Sequence, residues 1–588
     1  MGRFSEAFVG PAVDWWVLVP QIVLVGAALG LLLVASLAPR ELPGWVPTVV
    51  SVAAGAGAAV VAAVQWGMWG SAPRSTLADA FVSDGFGLLL TVLVGAGVVM
   101  TALVAHPTLE RYGMAPPEFA ALVLTSAAGA VVMAGANDLI VLFLGLESLS
   151  IATYVMIALA GRRATAREAA VKYFVLGAFS SAFFLYGIAL VYGSTGSTKL
   201  TVIRSFLSGS ARLDSIAGSD YLLLAGIALL LVGLGFKIAA VPFHFWSPDV
   251  YEGAPSPVTG YLASIAKAAA FAALVRVLYV AVVQHSAAWA PILVGLAFAT
   301  LAVGAVMAIC QSDVKRMLAY SSISHAGFVL VGLSALAGTD GASRWIVNVG
   351  DEATAVVSVG AADPAAAASS VVASGAAPLG TVASEAVSSV LVYLVVYAFL
   401  ALGSFAVLSA VGSQRPDAAS SGPANTGTAN SGAASPHALS RYGGLARRHP
   451  VLALAFTLLL LAQAGVPLTG GFLAKFLVIT AALEGKVYVL AVVAMVTAVV
   501  GAYAYLRVVL AMFAPGAAAD EGAEPSADAD AGAGEHAPVS RAGRARWGGL
   551  PLATVVAIAV AVAITLLVGV APQPLIEWAI DAASAVIP

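Results

Sequence analysis

Apolar runs of about 20 residues recur along almost the whole chain, and fourteen of them can be counted. A run of that length is what a helix needs to cross the hydrocarbon core of a membrane. The runs do not alternate between apolar and polar residues as the strands of a membrane barrel do. The pattern therefore predicts an all-α polytopic membrane protein. The fourteen predicted spans are 15–38, 44–66, 84–105, 117–135, 138–160, 171–192, 221–246, 257–283, 288–309, 317–338, 386–411, 451–482, 487–513 and 552–571.

A weak internal repeat relates spans that lie five helices apart. The stretch Ser150–Leu159 (SIATYVMIAL) in span five resembles Ser324–Leu333 (SHAGFVLVGL) in span ten. Spans seven and twelve each contain a Val-Pro pair, which ends at Pro242 in one and at Pro467 in the other. Many transporters are built from repeats of this kind. We therefore expect two inverted five-helix repeats, formed by spans 4–8 and 9–13.

Spans seven and twelve are predicted to be broken helices. Span twelve, with about 32 residues, would measure about 48 Å as one helix, which is too long for the lipid core. Broken helices are tolerated where the freed backbone groups line a wet cavity. The residues expected to interrupt the two helices are Gly233, Gly235 and Pro242 in span seven, and Gly465, Pro467, Gly470 and Gly471 in span twelve.

Three long connections, 339–385, 412–447 and 514–550, are rich in Ala, Ser, Gly and Pro and poor in aromatic residues. Such segments bury too little apolar surface to offset their ordering entropy, so we expect solvated insertions. The predicted organisation has four parts. They are a three-helix segment over 1–116, a first repeat over 117–284, a second repeat over 285–513 that contains the first two insertions, and a polar loop with the last helix over 514–588.

Composition agrees with a membrane protein and narrows the possible chemistry. The chain is 61% hydrophobic and 10% charged, which excludes an ordinary soluble enzyme. Its net charge of −3 offers no basic surface to nucleic acid. The single cysteine, Cys310, excludes an internal disulfide and a four-cysteine iron–sulfur cluster. The sequence has no dinucleotide-binding or Walker motif, so we expect no NADH, flavin or ATP site in this chain.

The positions of the cations predict the orientation in the membrane. Fourteen Lys and Arg residues fall in odd-numbered loops, and seven fall at the N-terminus and in even-numbered loops. Because cytoplasmic loops carry the excess of positive charge, both termini are expected to face the outside of a bacterial cell membrane.

Six cations lie inside predicted spans, where a charge costs at least about 2.5–3.5 kcal/mol and is normally functional. Arg276 and Arg507 lie nearer to span ends and are expected to snorkel to the interface. Lys172 opens its span and either snorkels or functions. The remaining three are too deep to snorkel. They are Lys237, Lys267 and Lys475.

One carboxylate, Glu147, lies as deep in a predicted span as these lysines do and could pair with one of them. Pairing it with a buried lysine keeps both groups charged and makes the protonation of each sensitive to the other. A static ion pair that joins helices is the alternative, but one pair does not need three lysines. His244 near the first break and His325 in span ten add groups that titrate near neutral pH. His325 could equally be a hydrogen-bonding group between helices.

Five stretches carry distinctive motifs: Glu147–Ser150, Lys172–Phe174, Gly235–Thr259 with Lys267, Lys315–His325 and Gly465–Lys475. These motifs resemble those of the N-subunit family of bacterial NADH-quinone oxidoreductases (respiratory complex I). The resemblance runs from about residue 80 to residue 513. The stretch Asp249–Pro255 is specific to N subunits among the related antiporter-like subunits.

The resemblance implies a membrane-arm subunit that moves protons while other subunits pass electrons from NADH to a quinone. Its partners would be the other membrane-arm subunits, lipid and protons, with no nucleic acid. NADH, FMN, iron–sulfur clusters and quinone would bind in the partner subunits or at their interfaces, and this chain would hold no cofactor or metal. Two alternatives stay open: a subunit of a multisubunit cation/proton antiporter, and a membrane scaffold without transport.

The resemblance also implies a role for each ionisable residue found above. In the order of the implied proton route, Glu147 and Lys237 would be the coupled pair of a first half-channel, Lys267 and His325 would continue a central hydrated axis, Lys475 would be the terminal site, and Lys172 and His244 would be accessory members.

Overall fold

The computed structural model describes residues 12–38, 42–69, 72–161, 163–209, 219–335, 379–413, 437–514 and 550–586. Helices dominate this part of the chain, and each predicted span lies on helix. The helices are α1 (Val19–Leu37), α2 (Trp45–Trp69), α3 (Gly85–Tyr112), α4 (Pro116–Gly135), α5 (Leu139–Ala158), α6 (Ala164–Thr195), α7 (Leu200–Leu207), α8 (Ser219–Ile238), α9 (Trp246–Gly253), α10 (Ser256–Ala281), α11 (Ser286–Ile309), α12 (Val314–Leu333), α13 (Leu379–Ser413), α14 (Pro450–Ala464), α15 (Gly470–Glu484), α16 (Tyr488–Phe513), α17 (Leu552–Val570) and α18 (Gln573–Val586).

The all-α membrane fold is confirmed. Among the described residues, twelve helices are long and apolar enough to cross a membrane. Two predicted spans are not among the twelve. Span ten is α12, which carries Lys315, Arg316 and His325. Span twelve is divided into α14 and α15, each of 15 residues. The count of fourteen crossing helices stays a prediction.

The first break comes later than its glycines suggested. Helix α8 continues through Gly233 and Gly235 to Ile238, so those two residues do not interrupt it. Gly233 instead allows close helix packing, because a Cβ there would lie 2.5 Å from the Cβ of Phe184 on α6. The chain is non-helical around Pro242, whose ring removes the backbone donor that a helix needs.

The second break follows the prediction more closely. Gly465 and Pro467 lie in the connection between α14 and α15. Gly465 has φ +95°, a left-handed conformation that favours glycine over other residues. Gly470 and Gly471 do not lie in the break but form the first turn of α15.

Three helices form the buried centre of the bundle. Helix α10 is buried along its whole length, and α12 and α13 are almost as fully enclosed. In contrast, α1, α2, α6, α11, α16 and α17 expose apolar side chains on one side. An apolar helix that is exposed on one side in a membrane protein faces lipid or another apolar subunit, whereas the central helices carry the functional groups.

Arg276 corrects a sequence expectation, because it does not snorkel to the surface. Its side chain is only 3% exposed and donates from Nη2 to both carboxylate oxygens of Asp84, at 2.8 and 3.0 Å. Its Nε donates to the backbone oxygen of Ala134 at 2.5 Å. Arg507 binds the backbone oxygens of Ile309 and Gln311 at the end of α11, where a cation is favourable.

Some short elements were not predicted. A two-stranded antiparallel hairpin pairs Arg74–Thr76 with Phe81–Ser83 between α2 and α3, and α7 and α18 are short helices in regions predicted as loops. The predicted insertions 339–385, 412–447 and 514–550 lie largely outside the described residues. Helix α13 begins at Leu379, inside the first of them.

Candidate functional site

Lys237 lies in the last turn of α8, immediately before the first break, and is 6% exposed. Its Nζ donates a hydrogen bond to the hydroxyl of Tyr154 at 3.3 Å. It also lies 5.2, 5.4 and 5.8 Å from the ring centres of Tyr154, Tyr173 and Phe236. These three rings, called the aromatic cage below, stabilise an ammonium ion through cation–π attraction.

Glu147 and Lys237 are not in direct contact. A carboxylate oxygen of Glu147 on α5 accepts a hydrogen bond from Ser181 on α6, and no ion pair within 4.0 Å joins this carboxylate to Lys237 in the part of the chain that the structure describes. Tyr154 lies seven residues after Glu147 on α5, on the same face and about 10.5 Å further along the axis. The side chain of Glu147 therefore binds α6 through Ser181, and the ammonium of Lys237 binds α5 through Tyr154.

Lys475 lies near the second break, in the second turn of α15, and is 8% exposed. Its Nζ donates to the backbone oxygens of Gln463 and Ala464 at 2.8 and 2.9 Å. These carbonyls end α14, where unpaired oxygens and the helix dipole favour a cation. The same Nζ lies 4.9 Å from the ring centre of Phe328.

The two stretches that resemble each other in sequence each contribute a ring to one lysine site. Aligning Ser150–Leu159 with Ser324–Leu333 places Tyr154 opposite Phe328. Each of these two rings lies under the lysine of the broken helix in its own half of the chain.

Lys267 and His325 lie between these two sites in the chain and at the buried centre of the bundle. Lys267, 2% exposed, follows the π-helical turn Leu262–Ala266 and donates to the backbone oxygen and the hydroxyl of Ser322, at 2.9 and 2.7 Å. The ring nitrogens of His325 bond the hydroxyls of Tyr393 and Tyr505, at 2.7 and 3.1 Å. Since both partners are hydroxyls, the ring can donate or accept on either side.

A chain of polar groups leads from His325 to Lys475. The hydroxyl of Tyr505 bonds Ser321, and the hydroxyl of Ser321 donates to the side-chain oxygen of Gln463 at 3.4 Å. The backbone oxygen of Gln463 in turn accepts from Lys475. The structure therefore brings together two predicted residues that lie 150 positions apart in the sequence.

The two residues predicted as accessory lie at the margins of this arrangement. His244 is in the break between α8 and α9, and its buried Nδ1 has no hydrogen-bond partner among the described residues. Lys172 is 41% exposed and contacts the carboxylates of Glu168 and Asp249, both at 2.7 Å. Neither contacts Lys237, Lys267 or Lys475 in the described contacts.

The sequence analysis did not identify the groups that bind the buried lysines and His325. These groups are neutral side chains or backbone oxygens. The cost of burying a charge, which singled out the lysines in the sequence, therefore gave no signal for them. Only Tyr154 carried a signal, because it lies on the Glu147 face of α5 and inside the repeated stretch. The missed groups are Tyr154, Tyr173, Ser322, Tyr393, Gln463 and Tyr505.

The buried lysines of this arrangement share the same kinds of neutral partner. Lys237, Lys267 and Lys475 contact hydroxyls, rings and carbonyl oxygens, and among the described residues none of the three forms an ion pair within 4.0 Å. Among the described residues, no group of three or more His, Cys, Asp or Glu side chains could hold a metal ion. Two broken helices with a lysine each, repeated within one chain, define an antiporter-like membrane subunit.

Comparisons with known proteins give the particular family. The model of the family described as NADH:quinone oxidoreductase/Mrp antiporter, TM matches residues 136–349 and 366–501. Subunit N of NADH-quinone oxidoreductase from Mycobacteroides abscessus is 39% identical over 80% of this chain and 72% of its own. Subunit N 3 from Streptomyces griseus is 36% identical over 98% of this chain and 95% of its own.

Solved structures agree. A chain of respiratory complex I from Thermus thermophilus with bound aureothin superimposes with a TM-score of 0.67 at 29% identity, covering 95% of this chain and 98% of that one. A chain of the Mrp complex from Dietzia sp. reaches 0.70 over 97% of both chains, but at 20% identity it shows the fold alone. The chain belongs to the NADH:quinone oxidoreductase/Mrp antiporter family, in its group of complex I N subunits. It is therefore a multi-pass, membrane-arm subunit of a multisubunit oxidoreductase complex.

Proposed function

We propose that this subunit carries protons across the membrane through its buried lysines while partner subunits pass electrons from NADH to a quinone. The observation that supports this most directly is a pair of lysines, Lys237 and Lys475, each buried near a helix break with an aromatic ring beneath it and with no ion pair among the described residues. A permanently charged group that only joins helices would be expected to have an acidic partner, as Arg276 has in Asp84.

Each residue has a step in the proposed route. Glu147 acts as the charge that biases Lys237, and a change in its protonation or position alters the preference of Lys237 for a proton. Lys267 and His325 carry the proton through the centre, with Ser322 and two tyrosine hydroxyls as hydrogen-bonding partners. Lys475 is the last site, and His244 is an accessory group at the first break.

No redox step is assigned to this chain. NADH, FMN, the iron–sulfur clusters and quinone are proposed to bind in partner subunits or at their interfaces, and nucleic acid is not a partner. The chain purified alone should therefore oxidise no NADH, while the whole complex from the same membranes should. Measurable NADH–quinone activity in the isolated chain would refute this assignment.

The cation asymmetry leads us to propose that both termini face outside. Ser358 and Thr426 lie in the predicted insertions, outside the described residues, on opposite predicted sides. In a background that lacks Cys310, an impermeant thiol reagent added to intact cells should label Ser358→Cys and spare Thr426→Cys. Permeabilised cells should label both, which controls for reactivity. Labelling of Thr426→Cys alone in intact cells would show that the orientation is opposite to the one proposed.

A cation/proton antiporter subunit is the second candidate, and it is supported by the fold shared with the Dietzia Mrp chain. The identity of 36–39% to N subunits favours the first candidate. Co-purification with an NADH-oxidising assembly would separate the two, because an antiporter complex would carry no such activity.

A further inference from the structure

Helix α9 connects the Lys237 site to the rest of the bundle. Its first residue, Trp246, stacks on Tyr173 with ring centres 4.6 Å apart and donates from Nε1 to the backbone oxygen of Phe236 at 2.9 Å. Tyr173 and Phe236 are two of the three rings of the aromatic cage. A shift of α9 would therefore move two rings of the aromatic cage that binds Lys237.

The carboxylates of α9 are held by cations from two other helices. Asp249 accepts from Nζ of Lys172 on α6 at 2.7 Å and from Nη1 of Arg316 on α12 at 2.8 Å. The same Nη1 donates to Glu252 at 2.7 Å. These side chains are 29–41% exposed, so solvent only partly screens their attraction.

A third cation binds the end of α9. Nζ of Lys315, which is 1% exposed, donates to the backbone oxygen of Ala254, the C-cap residue of α9. A cation there binds a carbonyl oxygen that has no helical hydrogen-bond partner. It is also attracted by the negative end of the helix dipole. Lys315 and Arg316 both come from the first turn of α12, the helix that carries Ser322 and His325.

We propose that Lys172, Arg316 and Lys315 form a cationic clamp that fixes α9 between α6 and α12 and so couples the Lys237 pocket to the central lysine and histidine. Tight packing supports a fixed position, because a Cβ on Gly253 of α9 would lie 2.6 Å from the backbone oxygen of Thr165 on α6. In this role Lys172 is a positioning residue. It needs a permanent positive charge and transfers no proton. The proposal rests on the proposed function, since the pocket it positions is the proton site at Lys237.

The test is the number of protons pumped per NADH oxidised by the whole complex in membrane vesicles. Lys172→Arg should keep the wild-type ratio, because arginine supplies a permanent charge that can bind a carboxylate. Lys172→Met should lower the ratio by about threefold to tenfold. Losing a half-exposed ion pair should have an effect between that of losing an exposed ion pair and that of losing a buried charged hydrogen bond. Glu168→Gln is the matched control. Glu168 contacts the same Nζ, but it is the more exposed partner and its loss leaves the Asp249 contact.

Asp249→Asn is the second variant, because it removes the shared charge and keeps the size of the side chain. It should lower the ratio like Lys172→Met, and combining the two should add little, as expected for partners in one interaction. If Lys172→Met fails to assemble, normal assembly and pumping by Lys172→Arg would still show that Lys172 acts through its positive charge and not as a proton carrier.

Two results would overturn the clamp. Loss of pumping in Lys172→Arg would make Lys172 a proton carrier, and wild-type pumping in Asp249→Asn would show that its charge is not needed. A pumping Lys237→Arg complex would instead refute the proposed proton role of Lys237, whereas the Lys172 and Asp249 variants report on the clamp, so the two failures are distinguishable.

Discussion

Lys237→Arg should leave the complex assembled and lower its coupled proton pumping by about tenfold or more, since a positioned proton-transfer group typically contributes at least that much. Arginine preserves the positive charge at the end of a long side chain, but its very high pKa prevents it from releasing a proton. The pocket offers Lys237 a hydroxyl and three rings, which bind the charged form but do not require it to be permanent. Lys237→Met, which cannot be charged, should fail to pump for the opposite reason.

Pumping is measured in membrane vesicles, and NADH oxidation with an artificial electron acceptor reports whether the electron-transfer arm is assembled. Lys486→Arg is the matched control, because Lys486 is exposed in the connection between α15 and α16. It should pump normally. If Lys237→Arg also pumps normally, the charge of Lys237 has a purely structural role.

Gly471→Ala should have the largest structural effect of any single methyl group added to the second broken helix. A Cβ at this position would lie 1.8 Å from the backbone oxygen of Ala462 and 2.7 Å from its carbonyl carbon. Backbone cannot rotate away as a side chain can, so α14 and α15 must separate, and Lys475 would lose its carbonyl partner on Gln463. We expect a cost of about 3 kcal/mol or more, at the upper end for overpacking.

The measurements are the amount of the chain in assembled complex and the melting temperature of that complex. Gly501→Ala is the control, because nothing lies within 4 Å of its Cβ position and alanine favours the helix by about 1 kcal/mol. That variant should be neutral or slightly stabilising. A Gly471→Ala complex that melts and pumps like wild type would show that α14 and α15 do not need to approach this closely.

The sequence by itself determined those properties that depend on position along the chain. Runs of apolar residues predicted the membrane helices, because crossing lipid requires a minimum apolar length. Pro242 and Pro467 predicted the two breaks, since proline lacks the donor that continues a helix. Lys237, Lys267 and Lys475 were singled out by the cost of a charge deep in an apolar run.

Only the tertiary structure decided which groups meet those residues. Tyr154 and Lys237 are 83 positions apart and Arg276 and Asp84 are 192 apart, so their contacts depend on how the helices rotate and cross. Several apolar helices of this chain could present either face to lipid at similar cost, because the lipid does not distinguish among apolar side chains. Close packing at positions such as Gly233 favours the arrangement seen in the structure, which places a ring beneath each broken-helix lysine.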